Sequence, residues 1–425
     1  MKHGHKALAA LGLAAATATL LAACSTPAAP TEEVQISFLV NQGTISQDLI
    51  DRFEEENPGI SVTLEEAPPG DPYKQQIRNL TQTGDLPDLF QTPTGPDGRI
   101  LFDSGSMAEI SEFFTTPAYD GETVWADTFT DGVLVAAQAA APADAYAGGE
   151  RFWIPITMTG LQVLYNVEQY EELGLEAPTT WDEFIENNEA ITASGRDALS
   201  PGKSDWWIKM AWDQTAAGVT YDDVMSGDVS LGDREFVEAF EAIADLHASG
   251  FFPEGTMSLG PEEEQALFLS GNLTQYMTTQ NTAAYLAANA PFELGSYTLP
   301  ALAGETLNTM GGPTDRLVVF EQSENKEAAI QLAKFLTSEA VLAERAETQF
   351  VLSPLTNKPT VDNVIYENYS KSIDTGLVLS MAWFQNFTPE MLSVLNGETY
   401  PGAYTGTISP QDAADSIEAQ FESVR

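Results

Sequence analysis

The chain has 425 residues, with 63 acidic and 18 basic side chains and a formal net charge of −45. So negative a surface repels phosphate backbones and anionic lipid headgroups, which excludes nucleic acid as a partner. Apolar residues make up 43 %, ample for a packed core, and the length suggests two domains or lobes.

In chain order the first feature is a leader. Lys2 and Lys6 precede an Ala/Leu-rich run from Ala7 to Leu21, and small residues lead up to Cys24. This is a secretory layout, so residues 1–23 read as a signal peptide. The apolar run is too short for a spanning helix. Leu21-Ala22-Ala23-Cys24 resembles the bacterial lipobox, in which the cysteine becomes the mature N-terminus and carries lipid. An ordinary cleavage site beside an incidental cysteine is the other reading. Cys24 is the sole cysteine; committed to lipid, it leaves no disulfide to brace the fold. Residues 24–33, small, polar and proline-containing, suit a flexible tether.

The folded part is expected from Val34. Alternation of Val34, Ile36, Phe38 and Val40 predicts a strand. Ser46 caps a helix whose apolar face is Leu49, Ile50 and Phe53, stopped by Pro58-Gly59. Residues 60–66 alternate again. Tyr73, Ile77 and Leu80 mark a second helix, and LPDLFQT (86–92) reads as a short buried strand. This β-α-β-α-β start favours parallel strands covered by helices. Further strands are predicted at 160–166, 273–279 and 315–320. Helices are predicted from Thr180 (a capping box with Glu183), through Phe236 to His247, from Pro261, Asn325, Ser338 and Ser409.

Catalytic chemistry is not indicated. Outside the leader the only histidine is His247, on the apolar stripe of a helix and in its last turn, a structural position. With one histidine and no free cysteine the usual metal sites are not available, so no metal and no cofactor is expected. Phosphate-cradling glycine loops are missing. Paired carboxylates could cleave a glycoside, but among 63 acids such a pair has almost no specificity.

Five stretches, in order, resemble the extracellular solute-binding proteins of ATP-binding-cassette importers, in the sugar-binding group related to maltose-binding protein. They are FEEENPGISVTLEE (53–66), GDLPDLFQT (84–92), RFWIPITMTGLQVLYNVEQYEELGLEAPTTWDEF (151–184), LFLSGNLTQYMTT (267–279) and GGPTDRLVVFEQSENKEAAIQLAKFLTSEA (311–340). The chain departs from the family at 272–280, where an Ala-Met pair and a glycine are usual. The resemblance implies an α/β, two-lobed periplasmic-binding-protein-like fold of type II. Each lobe is a mostly parallel sheet flanked by helices, with the ligand cleft between lobes. Lobe one maps to 34–158 plus 314–375, and lobe two to 159–313 plus 376–425. It further implies a monomer at the outer face of a cell membrane, held there by lipid alone. It would capture a carbohydrate by lobe closure and deliver it to the permease subunits of the importer.

Sugar rings call for flat aromatics plus amides, hydroxyls and carboxylates on loops, and open α/β sheets place ligands at strand C-terminal ends. Candidates are Asn41 and Gln42 after the first strand, and Gln91, Thr92 and Thr94 after the third, although plain turn chemistry also accounts for both loops. Trp206 and Trp207 sit where similar proteins carry a stacking aromatic, and Trp383 matches a late aromatic near the cleft. Trp153 and Thr157 precede the first crossing strand, Gln280 and Asn281 follow the strand at 273–279, and Gly311-Gly312 permits close backbone approach. Two other readings stay open: the same scaffold for another polar solute such as a polyamine, and a secreted hydrolase using a carboxylate pair.

Overall fold

The structure is a computed structural model. It describes residues 34–93, 96–142, 145–200, 219, 221–300, 312–373, 387–423 and 425. Cys24, Thr94, Trp206, Trp207, Gly311 and Trp383 lie outside the described residues.

Eleven strands are described: β1 (Val34–Asn41), β2 (Ile60–Ala67), β3 (Leu89–Gln91), β4 (Ile154–Pro155), β5 (Met158–Thr159), β6 (Leu161–Asn166), β7 (Asp197–Ser200), β8 (Leu273–Thr279), β9 (Leu294–Tyr297), β10 (Gly312–Pro313) and β11 (Arg316–Val319). The helices of the first half are α1 (Gln47–Glu56), α2 (Asp71–Thr83), α3 (Pro96–Asp103), α4 (Ser111–Phe114), α5 (Val133–Ala137), α6 (Val167–Leu173) and α7 (Trp181–Ala193). Those of the second half are α8 (Tyr221–Ser226), α9 (Arg234–Ala248), α10 (Pro261–Leu269), α11 (Gln280–Asn289), α12 (Lys326–Leu336), α13 (Glu339–Gln349), α14 (Val364–Ser372), α15 (Pro389–Val394), α16 (Tyr400–Tyr404) and α17 (Pro410–Glu422). Where these coincide with the expected elements the local chemistry is visible. Ser46 accepts from Leu49 N at the start of α1, Thr180 and Glu183 form both halves of a capping box on α7, and Ser338 and Ser409 cap α13 and α17.

One sheet has the order β2-β1-β3-β11-β4 and the other β7-β8-β6-β9. In the first, β1 pairs in parallel with β2 and β3, while β11 is antiparallel to both β3 and β4. In the second, β7 and β8 are parallel and β6 is antiparallel to β8 and β9. The α/β, two-sheet expectation holds, with one correction to its mostly parallel sheets: each carries a reversed strand, β11 in one and β6 in the other. The cause is the chain path. Both are entered directly from the crossing between sheets, so they run away from it while their neighbours run toward it. Accordingly β1, β3, β7, β8 and β9 all present their C-terminal ends to the crossing.

The crossing itself is the antiparallel pair β5–β10, where Gly312 faces Thr159 and Pro313 faces Met158. A third connection is made by α14, whose Tyr369 hydroxyl donates to Thr278 O (2.7 Å) and whose Asn368 amide donates to Ser296 Oγ (2.9 Å) on the second sheet.

The strands' period of two sorts the core. Ile36, Phe38 and Val40 of β1 join Leu49, Ile50, Phe53 and Ala333 on one face, while Leu39 joins Tyr73, Ile77, Phe90 and Trp153 on the other. Around the second sheet Val163, Leu199 and Met277 pack with Phe236, Phe240, Ile243, Ile417 and Phe421. His247 is half-buried, its ring 4.7 Å from that of Tyr404. No helix among the described residues is long and apolar enough to cross a membrane.

Candidate functional site

Where β1 and β3 end, side chains from four distant parts of the sequence form one hydrogen-bonded hub. Gln91, the last residue of β3, is 2 % exposed. Its Oε1 accepts from Asn41 N (2.9 Å) and Thr44 Oγ1 (3.3 Å), and its Nε2 donates to Asp315 Oδ1 (2.7 Å). The other Asp315 oxygen accepts from Thr157 Oγ1 (2.8 Å), which in turn accepts from Asp315 N (3.2 Å). Thr157 lies on the outgoing crossing segment and Asp315 on the returning one. The hub therefore ties the first sheet to both segments beside the β5–β10 pair.

Below it lies Arg345 of α13, also 2 % exposed. Its Nη2 donates to Thr44 O (3.1 Å) and its Nε to Gln349 Oε1 (3.3 Å). Burial pushes this guanidinium down to about 10, opposed by the nearby Asp315 charge, so it remains cationic at neutral pH. Tyr73 braces the hub from α2 by donating to Gln91 O (2.6 Å), and burial drives its phenol well above the ordinary range. The backbone of the Asn41–Thr44 turn is thus held on two sides, and Gln42 stays exposed at its tip. Asn41 Oδ1 is buried and accepts no hydrogen bond among the described residues, an acceptor that a donor from outside the chain would satisfy.

The other expected site residues are placed differently. Thr92 spends both its N–H and its hydroxyl on Arg316 O (2.8 and 3.1 Å), so it clamps β3 to β11. Gln280 is 3 % exposed and its amide is committed to the crossing. Its Oε1 accepts from Thr159 Oγ1 (3.1 Å) and Gly160 N (3.2 Å), and its Nε2 donates to Met158 O (3.1 Å). Its geometry is that of a brace on the crossing backbone. Asn281, one residue on, is exposed. Gly312 is buried, yet a Cβ built on it meets no atom within 4 Å. Its lack of a side chain keeps space open beside the hub and is not required by packing. Trp153 is wholly buried in the first lobe's core, stacked on Phe102 with ring centroids 5.8 Å apart.

Asp315 and Arg345 escaped sequence reasoning. Asp315 does stand directly before a buried strand, but 63 acids mask it. Arg345 reads as an ordinary helix-surface residue. Among the described residues no group of three or more His, Cys, Asp or Glu is arranged to hold a metal ion.

A two-sheet α/β molecule with a polar hub at the strand ends beside a double crossing defines a two-lobed binding scaffold. Residues 39–343 match the family of bacterial extracellular solute-binding proteins, and the chain belongs to that family. Its fold is the type II periplasmic-binding-protein-like fold. Among relatives, the multiple sugar-binding protein of Streptococcus mutans is 22 % identical over 79 % of both chains. Among solved structures, a family 1 extracellular solute-binding protein of Bifidobacterium longum subsp. infantis superposes with a TM-score of 0.73 at 19 % identity, over 92 % of this chain and 99 % of that one. The GacH receptor of Streptomyces glaucescens, solved unliganded and with acarbose, gives 0.72 at 20 % identity, over 92 % and 98 %.

Proposed function

We propose that this protein captures a carbohydrate between two closing lobes and delivers it to the permease subunits of an ABC importer. The lobes are 34–158 plus 314–375 and 159–313 plus 376–425, hinged at the β5–β10 pair and strapped by α14. The observation that carries the reading is the hub of Asn41, Gln91, Thr157 and Asp315. It offers amides, hydroxyls and one carboxylate at the strand ends, the groups that match the rim of a neutral polyhydroxyl ring. Asn41, Gln42, Asn281 and the open space beside Gly312 face that role. Gln91, Thr157 and Gln280 hold the walls, and Trp206, Trp207 or Trp383 supplies the stacking face. Closure is driven by the ligand's greater affinity for the closed state. The sugar ligands of related proteins named above support the substrate class.

Thermal shift followed by calorimetry on a panel of mono- and oligosaccharides, with polyamines as the counter-panel, tests this. A sugar at 100 times its Kd should stabilise the protein by about 2.7 kcal/mol. Binding of a polyamine and no sugar would overturn the carbohydrate assignment, and hydrolysis of an oligosaccharide would overturn non-covalent capture.

The lipid anchor on Cys24 is a separate part of the proposal. It places the monomer at the outer face of the membrane, extracellular or periplasmic. Cys24→Ala should move the protein from the membrane fraction to the soluble one with sugar affinity unchanged; retention in the membrane fraction would sink the anchor.

A further inference from the structure

The antiparallel pairing of β6 with β8 ends at Leu161 and Thr279. One step further Gly160 would face Gln280, but there the chain turns into α11, of which Gln280 is the first residue. The buried Gln280 side chain takes over from the ladder. Its Oε1 accepts from Gly160 N (3.2 Å) and Thr159 Oγ1 (3.1 Å), and its Nε2 donates to Met158 O (3.1 Å). The second sheet thus reaches back along the crossing as far as Met158.

The first lobe reaches the same residue from the other side. Met158 N donates to Leu352 O (2.8 Å). Leu352 belongs to a segment fixed to that lobe: Thr130 N donates to Pro354 O (2.9 Å), and Thr356 N to Thr128 O (2.9 Å). Thr157, one residue earlier, is held by Asp315, whose carboxylate also accepts from Gln91. Met158 is therefore gripped by one lobe through its N–H and by the other through its C=O. With planar peptides on either side, its own φ and ψ are the torsions left between the two grips. Opposite it in the β5–β10 pair stands Pro313, which has no N–H to give and a φ fixed near about −65°. The third connection converges here too: a Cβ on Gly160 would stand 3.3 Å from both Leu352 Cδ1 and Tyr369 Cδ1.

We propose that the lobes turn about Met158 and that Gln280 is the positioning residue for the turn, passing rotation at Met158 to β8 and α11 and so to Asn281. The inference rests on the lobe closure proposed above, but not on which solute the cleft takes. One planar amide accepts from Gly160 N and donates to Met158 O at once. Leucine can do neither, a glutamate carboxylate can accept but not donate, and a protonated glutamic acid can do both.

Two measurements on the full chain test it. Interlobe distances are read by double electron–electron resonance between spin labels at Asp48→Cys on α1 and Glu189→Cys on α7, both exposed, in a Cys24→Ala background. Amide hydrogen exchange is followed at Gly160. Without solute, Gln280→Leu should broaden the distance distribution and speed Gly160 exchange by about tenfold. Gln280→Glu should be equally broad at about pH 8 and return to the wild-type distribution at about pH 5 as its carboxyl protonates, while the wild type stays the same at both. A purely structural brace would not give that pH-dependent rescue. If Gln280→Leu does not fold, the Gln280→Glu series decides. Fast Gly160 exchange with an unchanged distance distribution, or a Gln280→Glu distribution indifferent to pH, would overturn the proposal. A distance that responds to the saccharide panel but to neither variant would overturn it and leave lobe closure standing; one that responds to none of these would overturn closure itself.

Discussion

Gln91 and Gln275 are both buried glutamines at the heart of a sheet, and they do opposite things. Gln275, in the middle of β8, is wholly enclosed. Its Oε1 accepts from the hydroxyls of Tyr170 (2.6 Å) and Tyr297 (2.5 Å), and its Nε2 donates to Asn188 Oδ1 (2.9 Å) and Ala198 O (3.2 Å). Every valence is met by a rigid, buried partner, and desolvation raises both phenols well above their usual range. Gln91 sits at a strand end, and its partners Asn41, Thr44 and Asp315 are only half-buried. The first network is closed and cements a core. The second is bordered by half-buried partners beside the crossing, the position at which the proposed function puts the ligand. Residue type is the same; position along the strand decides the role.

The largest effect that would test this contrast is at Gln275. Gln275→Leu strands two tyrosine hydroxyls and an Asn188 oxygen in the core and should lower unfolding free energy by about 3 kcal/mol in urea titration. Affinity per folded molecule should be unchanged. Asp315→Asn should do the reverse: at least a tenfold loss of ligand affinity by calorimetry, about 1.4 kcal/mol, with a smaller loss of stability. Equal affinities in that variant and the wild type would show that the two networks are alike.

Asp88 supplies a pH test away from both. Burial pushes its carboxyl up, but hydrogen bonds from Ser323, from Ser37 N and Oγ and from Asn325 outweigh that and hold it below the ordinary carboxylate range. A depressed folded value means that its stabilisation is complete above the unfolded value of about 3.9 and is lost as pH falls through the folded one. Asp88→Asn should therefore cost about 0.5–1 kcal/mol at pH 7, after allowance for its partial exposure. It should also show a shallower acid denaturation slope below the unfolded carboxylate value of about 3.9. An unchanged slope would remove the carboxylate from the account of acid stability.

The smallest stability effect is expected at Gly312. Gly312→Ala meets no neighbour, so unfolding free energy should stay within about 0.5 kcal/mol while the added methyl narrows the space beside the hub and weakens binding severalfold. Unaltered affinity would move the ligand away from Gly312.

Elements with local causes were legible from the sequence. The alternation in β1, the caps at Ser46, Thr180, Ser338 and Ser409, and the apolar stripe of α9 each act within a few residues, where period and hydrogen-bonding reach are short. Strand-end loops could also be picked out, so Gln91 and Thr157 stood among the candidates before the structure brought them together. What tertiary structure alone decided is how distant pieces meet. Gln280 reads as a cleft residue and braces backbone more than a hundred positions away, at Met158 O and Gly160 N. Asp315 became the joint of the hub because its strand returns reversed from the second sheet. Arg316 was buried beside Trp153 by the same return. No periodicity encodes these encounters. They follow from chain path and sheet order, which only the packing of the whole molecule determines.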